Sequence, residues 1–195
     1  MILLIDNSAK NSTIDHFRVI FKALEEPYDV MNSDESIDLD KLKTYTGIIA
    51  SGGPWDLTQP VLLGDFKLDL QALINLEVPY YGICMGHQIL SEANGADIGK
   101  WPEEYHDWRQ VTLLDRTDLF KGLDPVVSVM EWHQEYVVAP APGFELIATS
   151  DACFTQGTRH TSKHIYSTQF HPELSGETGF LILSNFIDIC NQRAS

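Results

Sequence analysis

Apolar positions along this chain follow two alternating rhythms through its first half. The opening MILLID is apolar for five unbroken residues before Asp6, the pattern of a strand buried on both faces. In the following STIDHFRVIFKALEE, Ile14, Phe17, Ile20, Phe21 and Leu24 recur at helical spacing, and Pro27 blocks continuation. A strand near YDVM, a short helix near LDKLKTY and a strand over GIIAS repeat the alternation, and GGP at 52–54 forms a turn. A helix around residues 65–76 and the strand VPYYGI at 78–83 complete this half. Alternating β and α elements predict a largely parallel sheet covered on both faces.

Beyond residue 96 the rhythm changes. Short strand candidates QVTLLD, VVSVMEW, FELIATS and IYSTQF follow one another, separated by turns and by PAPG at 140–143. They either extend the sheet or form a smaller antiparallel layer. The chain closes on GFLILSNFIDIC, where Phe180, Leu183, Phe186, Ile187 and Cys190 fit one helical face. The expected fold class is α/β: an open, mostly parallel sheet with helices on both faces plus a small antiparallel extension. No repeat, low-complexity tract or linker interrupts the pattern, so residues 1–195 read as a single domain.

Composition narrows the setting. At 195 residues and 44% apolar content the chain can bury one core without disulfides. Cys84, Cys153 and Cys190 are odd in number, far apart and without a CxxC pair, which suggests a reducing, cytoplasmic setting. The first residues lack a basic region and a cleavage site, and no apolar run approaches the roughly 18 residues of a membrane span. With 28 acidic against 13 basic residues, the net charge of −15 opposes binding to a phosphate backbone. Neither nucleic acid nor membrane is an expected partner. His160 and His164 are four apart but lack a third ligand, so no metal is expected, and no cofactor.

Candidate chemistry gathers in YYGICMGHQIL, residues 80–90. A strand, then Cys84, then a helix beginning near Met85 reproduces a nucleophile elbow with sulfur in place of the usual hydroxyl. Gly82 and Gly86 let backbone pass close to a sharply turned residue. The helix N-terminus directs unpaired N–H groups and positive potential at the sulfur, and the Met85 N–H points where an oxyanion would develop. The competing reading is a small buried cysteine.

The segment QFHPEL, residues 169–174, favours chemistry. Alternate residues of an extended segment point the same way, so Glu173 can orient the imidazole of His171 while His171 serves Cys84 as base and acid. The order Cys, His, Glu differs from that of α/β-hydrolases, where the acid precedes the histidine. SGGPWD at 51–56, following the strand GIIAS at the same sheet end, can supply a second oxyanion N–H. His87 is expected to support the elbow, and Cys153 and Cys190 to pack. Trp101, Tyr105 and Trp108 of KWPEEYHDWR line a partner surface, cover the site entrance or simply pack.

SGGP, GICMGHQ and QFHPE, in this order and spacing, resemble the class I (triad) glutamine amidotransferases, and in particular their GMP-synthase-like stand-alone glutaminases. The resemblance runs through nearly the whole chain. It implies a flavodoxin-like sheet flanked by helices, hydrolysis of the γ-amide of glutamine through a cysteinyl thioester, and delivery of ammonia to a separate synthase subunit. It further implies Cys84 as nucleophile, His171 as general base then acid, Glu173 as its orienting partner, and Gly53 and Met85 as oxyanion-hole donors. Gly52, Gln88, Gln134 and Glu135 take the place of substrate-binding residues, the last two in EWHQEY at 131–136. A stand-alone γ-glutamyl hydrolase or peptidase uses the same mechanism and stays open as an alternative. A non-catalytic regulatory module is disfavoured by the intact triad.

Overall fold

The structure is a computed structural model that describes residues 1–8, 13–33, 39–58 and 77–194. Its first half runs β1 (Ile2–Asp6), α1 (Ile14–Ala23), β2 (Tyr28–Asn32), α2 (Leu39–Leu42), β3 (Gly47–Ala50), β4 (Tyr80–Ile83) and α3 (Met85–Ala93). The second half adds β5 (Ile98–Leu113), β6 (Val126–Val137), β7 (Phe144–Thr149), β8 (Gly157–His160), β9 (Ile165–Thr168) and α4 (Gly176–Ala194). The helix expected around 65–76 lies outside the described residues.

The unbroken apolar run of β1 exists because both faces of the sheet are covered. Ile2 and Leu4 join one cluster with Phe17 and Phe21 of α1 and Leu183 and Phe186 of α4. Leu3 and Ile5 turn the other way and meet Leu42 of α2 and Met85, Ile89 and Leu90 of α3. Successive strand residues point to opposite faces, so one sequence run feeds two cores. Along α4 the expected stripe is buried at Leu183, Phe186, Ile187 and Cys190, whereas Phe180 is 37% exposed. Phe180 sits at the border of that stripe, and Ile182 fills the buried face instead.

Nine strands form one sheet in the order β2-β1-β3-β4-β9-β8-β7-β5-β6. The pairs from β2 through β1, β3 and β4 to β9 are parallel, and those from β9 through β8, β7 and β5 to β6 are antiparallel. The second-half strands therefore extend the sheet rather than forming a separate layer. QVTLLD and VVSVMEW prove to be parts of much longer strands, 16 residues in β5 and 12 in β6. These two pair as a long ribbon whose register shifts between Lys100 and Tyr105. The ribbon reaches back to the carboxyl end of the parallel strands, where it walls a cavity.

Candidate active site

Between the end of β4 at Ile83 and the start of α3 at Met85, Cys84 alone reverses the chain. Its φ of 50° and ψ of −104° lie where a side chain is tolerated only under strain. Two backbone bonds hold the turn: the Cys84 N–H donates to the Thr168 carbonyl at 2.8 Å, and the Cys84 carbonyl accepts from the Gln88 N–H at 3.0 Å. The flanking glycines supply space. A Cβ on Gly82 would stand 2.6 Å from the Gly86 carbonyl oxygen, and one on Gly86 would stand 2.5 Å from that of Ala50. The expected elbow is thus a turn packed against its own helix and against β3.

His171 and Glu173 meet by a different route from the one their spacing suggested. β9 ends at Thr168; His171 remains extended at φ −99° and ψ 95°, but Glu173 lies in a single 3-10 turn, Pro172–Leu174. The turn folds the carboxylate back, and His171 Nδ1 donates to Glu173 Oε1 at 2.7 Å. His171 is itself pinned to β6, its N–H donating to the Met130 carbonyl at 2.8 Å. Ser175 Oγ closes the joint by donating to the His171 carbonyl at 2.6 Å and accepting from the Met130 N–H at 2.9 Å.

Cys84 Sγ and His171 Nε2 converge on the carbonyl of Trp132, at 3.6 and 3.4 Å. Both imidazole nitrogens therefore face acceptors, the surroundings of a protonated ring. Burial by itself would drive the proton off, but the Glu173 carboxylate and the Cys84 sulfur outweigh it and hold the His171 pKa well above the ordinary 6.5. Gln169 Nε2 reaches the sulfur from the far side at 3.7 Å.

The facing wall is the loop after β3. Asn7 anchors it, its N–H donating to Ser51 Oγ at 3.0 Å and its Nδ2 to the Ser51 carbonyl at 2.7 Å. Gly52 then lies so close to the site that a Cβ would come within 2.6 Å of His171 Cε1 and 3.4 Å of Cys84 Cβ. Gly53 packs on Met85, where a Cβ would sit 2.9 Å from Sδ. Met85 opens α3, so its amide belongs to the first turn, whose N–H groups have no partner within the helix.

Between this loop and β6 lies a cavity of about 190 Å³. Cys84, His171, Gly52, Gly53, Gln88, Gln134 and Glu135 line it, while Met85 lies beneath Gly53 and Glu173 behind His171. Gln88 Nε2 donates to the Glu135 carbonyl at 2.7 Å and to Gln169 Oε1 at 3.2 Å, and Gln134 Nε2 to the Trp101 carbonyl at 2.9 Å. The volume falls below the roughly 300–1,000 Å³ of pockets for drug-sized ligands, so it suits a ligand the size of one amino acid.

Several wall residues escaped the sequence reading. Glu104 adds a carboxylate to the lining, and Trp132 adds its backbone carbonyl. Behind β6, fully buried Glu131 accepts from Arg109 Nε at 2.8 Å and from Gln156 Nε2, and faces His133 Nε2 at 3.3 Å. Burial raises the Glu131 pKa, but His133 and Arg109 prevail and lower it. The alternation of EWHQEY, with Glu131 and His133 inward and Trp132 outward, was the available signal. His87 supports the elbow, its Nδ1 lying 2.7 Å from Ser167 Oγ, and burial pushes its pKa down to about 3. Trp101 packs, stacking on Tyr136 at 5.2 Å between ring centroids, whereas Trp108 is 47% exposed. His160 turns its ring edge to Phe144 and accepts from the Ser162 N–H at 3.1 Å.

An α/β sheet carrying a strained cysteine at a strand-to-helix turn, opposite a His–Glu pair, defines a hydrolytic enzyme with a cysteine nucleophile. The chain matches the family Glutamine amidotransferase class-I over residues 3–189 and belongs to it. Among curated relatives, the glutamine-hydrolyzing subunit of GMP synthase from Methanococcus aeolicus is 35% identical over 162 residues, 83% of this chain and 82% of that protein. The corresponding GMP synthase subunit from Methanocaldococcus jannaschii is 30% identical over 194 residues, 99% of both chains. A Thermoplasma acidophilum crystal structure described as a GMP synthase subunit superposes with a TM-score of 0.86 at 27% identity, covering 99% of this chain and 94% of the other. Among the described residues, no helix is long and apolar enough to cross a membrane.

Proposed function

We propose that this chain acts as one glutaminase domain, hydrolysing the γ-amide of L-glutamine and passing the ammonia to a separate synthase subunit of the GMP synthase type. The observation that carries the reading is Cys84 and His171, with Glu173 behind them, in the wall of an amino-acid-sized cavity. Family membership supports the chemistry. Relatives that are named as single subunits, and matched over most of their length, support the division of labour.

Cys84 Sγ attacks the γ-carbonyl carbon, forming a C–S bond, and the carbonyl π electrons move to oxygen. That oxygen lies between the amide N–H groups of Met85 and Gly53, which stabilise the charge as it develops. His171 gives its proton to the amide nitrogen, the C–N bond breaks, and ammonia leaves with the glutamyl group held as a thioester. Water then attacks the thioester carbonyl while His171 takes a proton, and C–S cleavage returns Cys84 and releases glutamate. Glu173 keeps the imidazole in one orientation and stabilises its charge. Gly52, Gln88, Gln134 and Glu135 shape the space for the glutamine head group, and Glu104 supplies a charge complementary to its ammonium.

The test is release of ammonia from glutamine and of amino acid from a γ-glutamyl dipeptide, with and without the synthase subunit of a relative. Glutamine turnover that disappears in Cys84→Ala is the expected result. Efficient dipeptide cleavage without glutamine turnover would overturn it in favour of a self-sufficient γ-glutamyl hydrolase.

A further inference from the structure

One cation stands where the two walls of the cavity come closest outside the chemistry. Lys100, near the start of β5, lies directly opposite Glu135 in the β5–β6 register. Its Nζ donates to Glu135 Oε1 at 2.8 Å and, across the cavity margin, to Asp56 Oδ2 at 2.6 Å. Asp56 comes three residues after Gly53, in the loop that faces the nucleophile. The other oxygen of its carboxylate is also engaged: Oδ1 accepts from the Thr58 N–H at 3.0 Å and from Thr58 Oγ1 at 2.5 Å.

We infer that Lys100 is a positioning residue for catalysis: its ammonium straps the loop bearing Gly52 and Gly53, through Asp56, to the Gln134–Glu135 segment of β6. The strap sets the gap across which an oxyanion donor on one wall and the substrate-facing segment on the other must act together. Three observations make it more than a surface ion pair. Both carboxylates are engaged at hydrogen-bond distance by one nitrogen. Glu135 is fixed independently, through its carbonyl, by Gln88 Nε2 at 2.7 Å and by His133 Nδ1 at 2.8 Å. The two side chains belong to segments 79 positions apart that otherwise face each other across open space. The hydrogen bond from Lys100 is also the leading cause that draws the Asp56 pKa down to about 2.

The proposal deepens the glutaminase reading and rests on it for the activity arm of the test alone. Lys100→Met, Lys100→Arg, Asp56→Asn and the double variant Lys100→Met/Asp56→Asn would be compared with wild type, with Lys43→Met as the control that removes a remote exposed pair to Asp40. The first measurement is hydrogen exchange at the backbone amides of residues 52–58, which needs no activity. Lys100→Met should speed exchange there by about fivefold, the scale of a pair of this exposure, and Lys100→Arg should restore most of the protection. The second is glutamine turnover: kcat/KM should fall by about tenfold in Lys100→Met, mainly in kcat, because a displaced oxyanion donor is felt in the transition state. The double variant should be no worse than Lys100→Met. Alkylation of Cys84 by iodoacetamide forms no oxyanion, so its rate should stay unchanged.

Unchanged exchange in Lys100→Met would overturn the inference whatever the activity. So would alkylation slowing in parallel with turnover, which would mean a general loss of structure. A wild type without glutamine turnover would overturn the function proposed above, while the exchange measurement would still decide the strap.

Discussion

Gly52→Ala is the sharpest probe of how the loop after β3 serves the reacting groups. The new methyl would lie 2.6 Å from His171 Cε1, about 0.8 Å inside ordinary contact beginning at 3.4 Å. The imidazole has little freedom to retreat. Its Nδ1 is bonded to Glu173 at 2.7 Å and its backbone is pinned to Met130 at 2.8 Å. A forced displacement approaching 1 Å at a catalytic group costs on the order of 100-fold in rate, so kcat should fall by about that factor. The strain of one extra methyl is about 1–3 kcal/mol, enough to lower Tm by several degrees but not to unfold the chain. The assay is ammonia release at saturating glutamine, with the partner subunit present, paired with a thermal melt. A kcat within about threefold of wild type in a folded Gly52→Ala protein would refute the argument, because the loop would then have yielded in place of the ring.

Two further outcomes follow from electrostatics. Because Glu173 helps to hold the His171 pKa above 6.5, this pair contributes stability that is fully present below pH 6.5 and lost as pH rises through the folded value. Glu173→Gln should flatten that part of the curve in denaturant titrations from pH 6 to 9, and an unaltered slope would show that the carboxylate does not control the imidazole. Burial, with the Glu131 charge, pushes the Cys153 thiol up to about 12, and Cys190 is fully buried. Native protein treated with iodoacetamide at pH 8 should therefore be modified at Cys84 alone, as read by peptide mapping; comparable labelling of Cys153 would contradict its enclosure.

The parallel half of the sheet and the elbow were legible because they obey strong local rules. A run such as ILLI has few alternatives once both faces are covered, and glycines two residues either side of Cys84 mark a turn that a Cβ would jam. The β5–β6 ribbon was only half legible. From Trp101 to Arg109 its residues are mostly exposed, Pro102 interrupts the strand pattern, and the register shift after Lys100 breaks any period of two. The His171–Glu173 contact was anticipated, but from extended geometry, whereas a 3-10 turn makes it. Asn7 with Ser51, Lys100 with Asp56, and Glu131 with Arg109 each join residues 22 to 44 positions apart. Such pairs become visible only when the fold brings their strands to one end.

The order of strands also governs when the enzyme comes into being. β4 cannot find its second neighbour until β9 has been made, because the whole antiparallel arm lies between them in the chain. On the ribosome, then, the nucleophile emerges long before the base, and β5 and β6 can zip into their ribbon while the parallel core still has a gap. Insertion of β9 fills that gap, supplies the Thr168 carbonyl that locks the Cys84 turn, and carries His171 into place in one movement. A nascent or truncated chain ending before residue 165 holds its thiol without the means to use it, so completion of synthesis is itself the step that arms the catalyst.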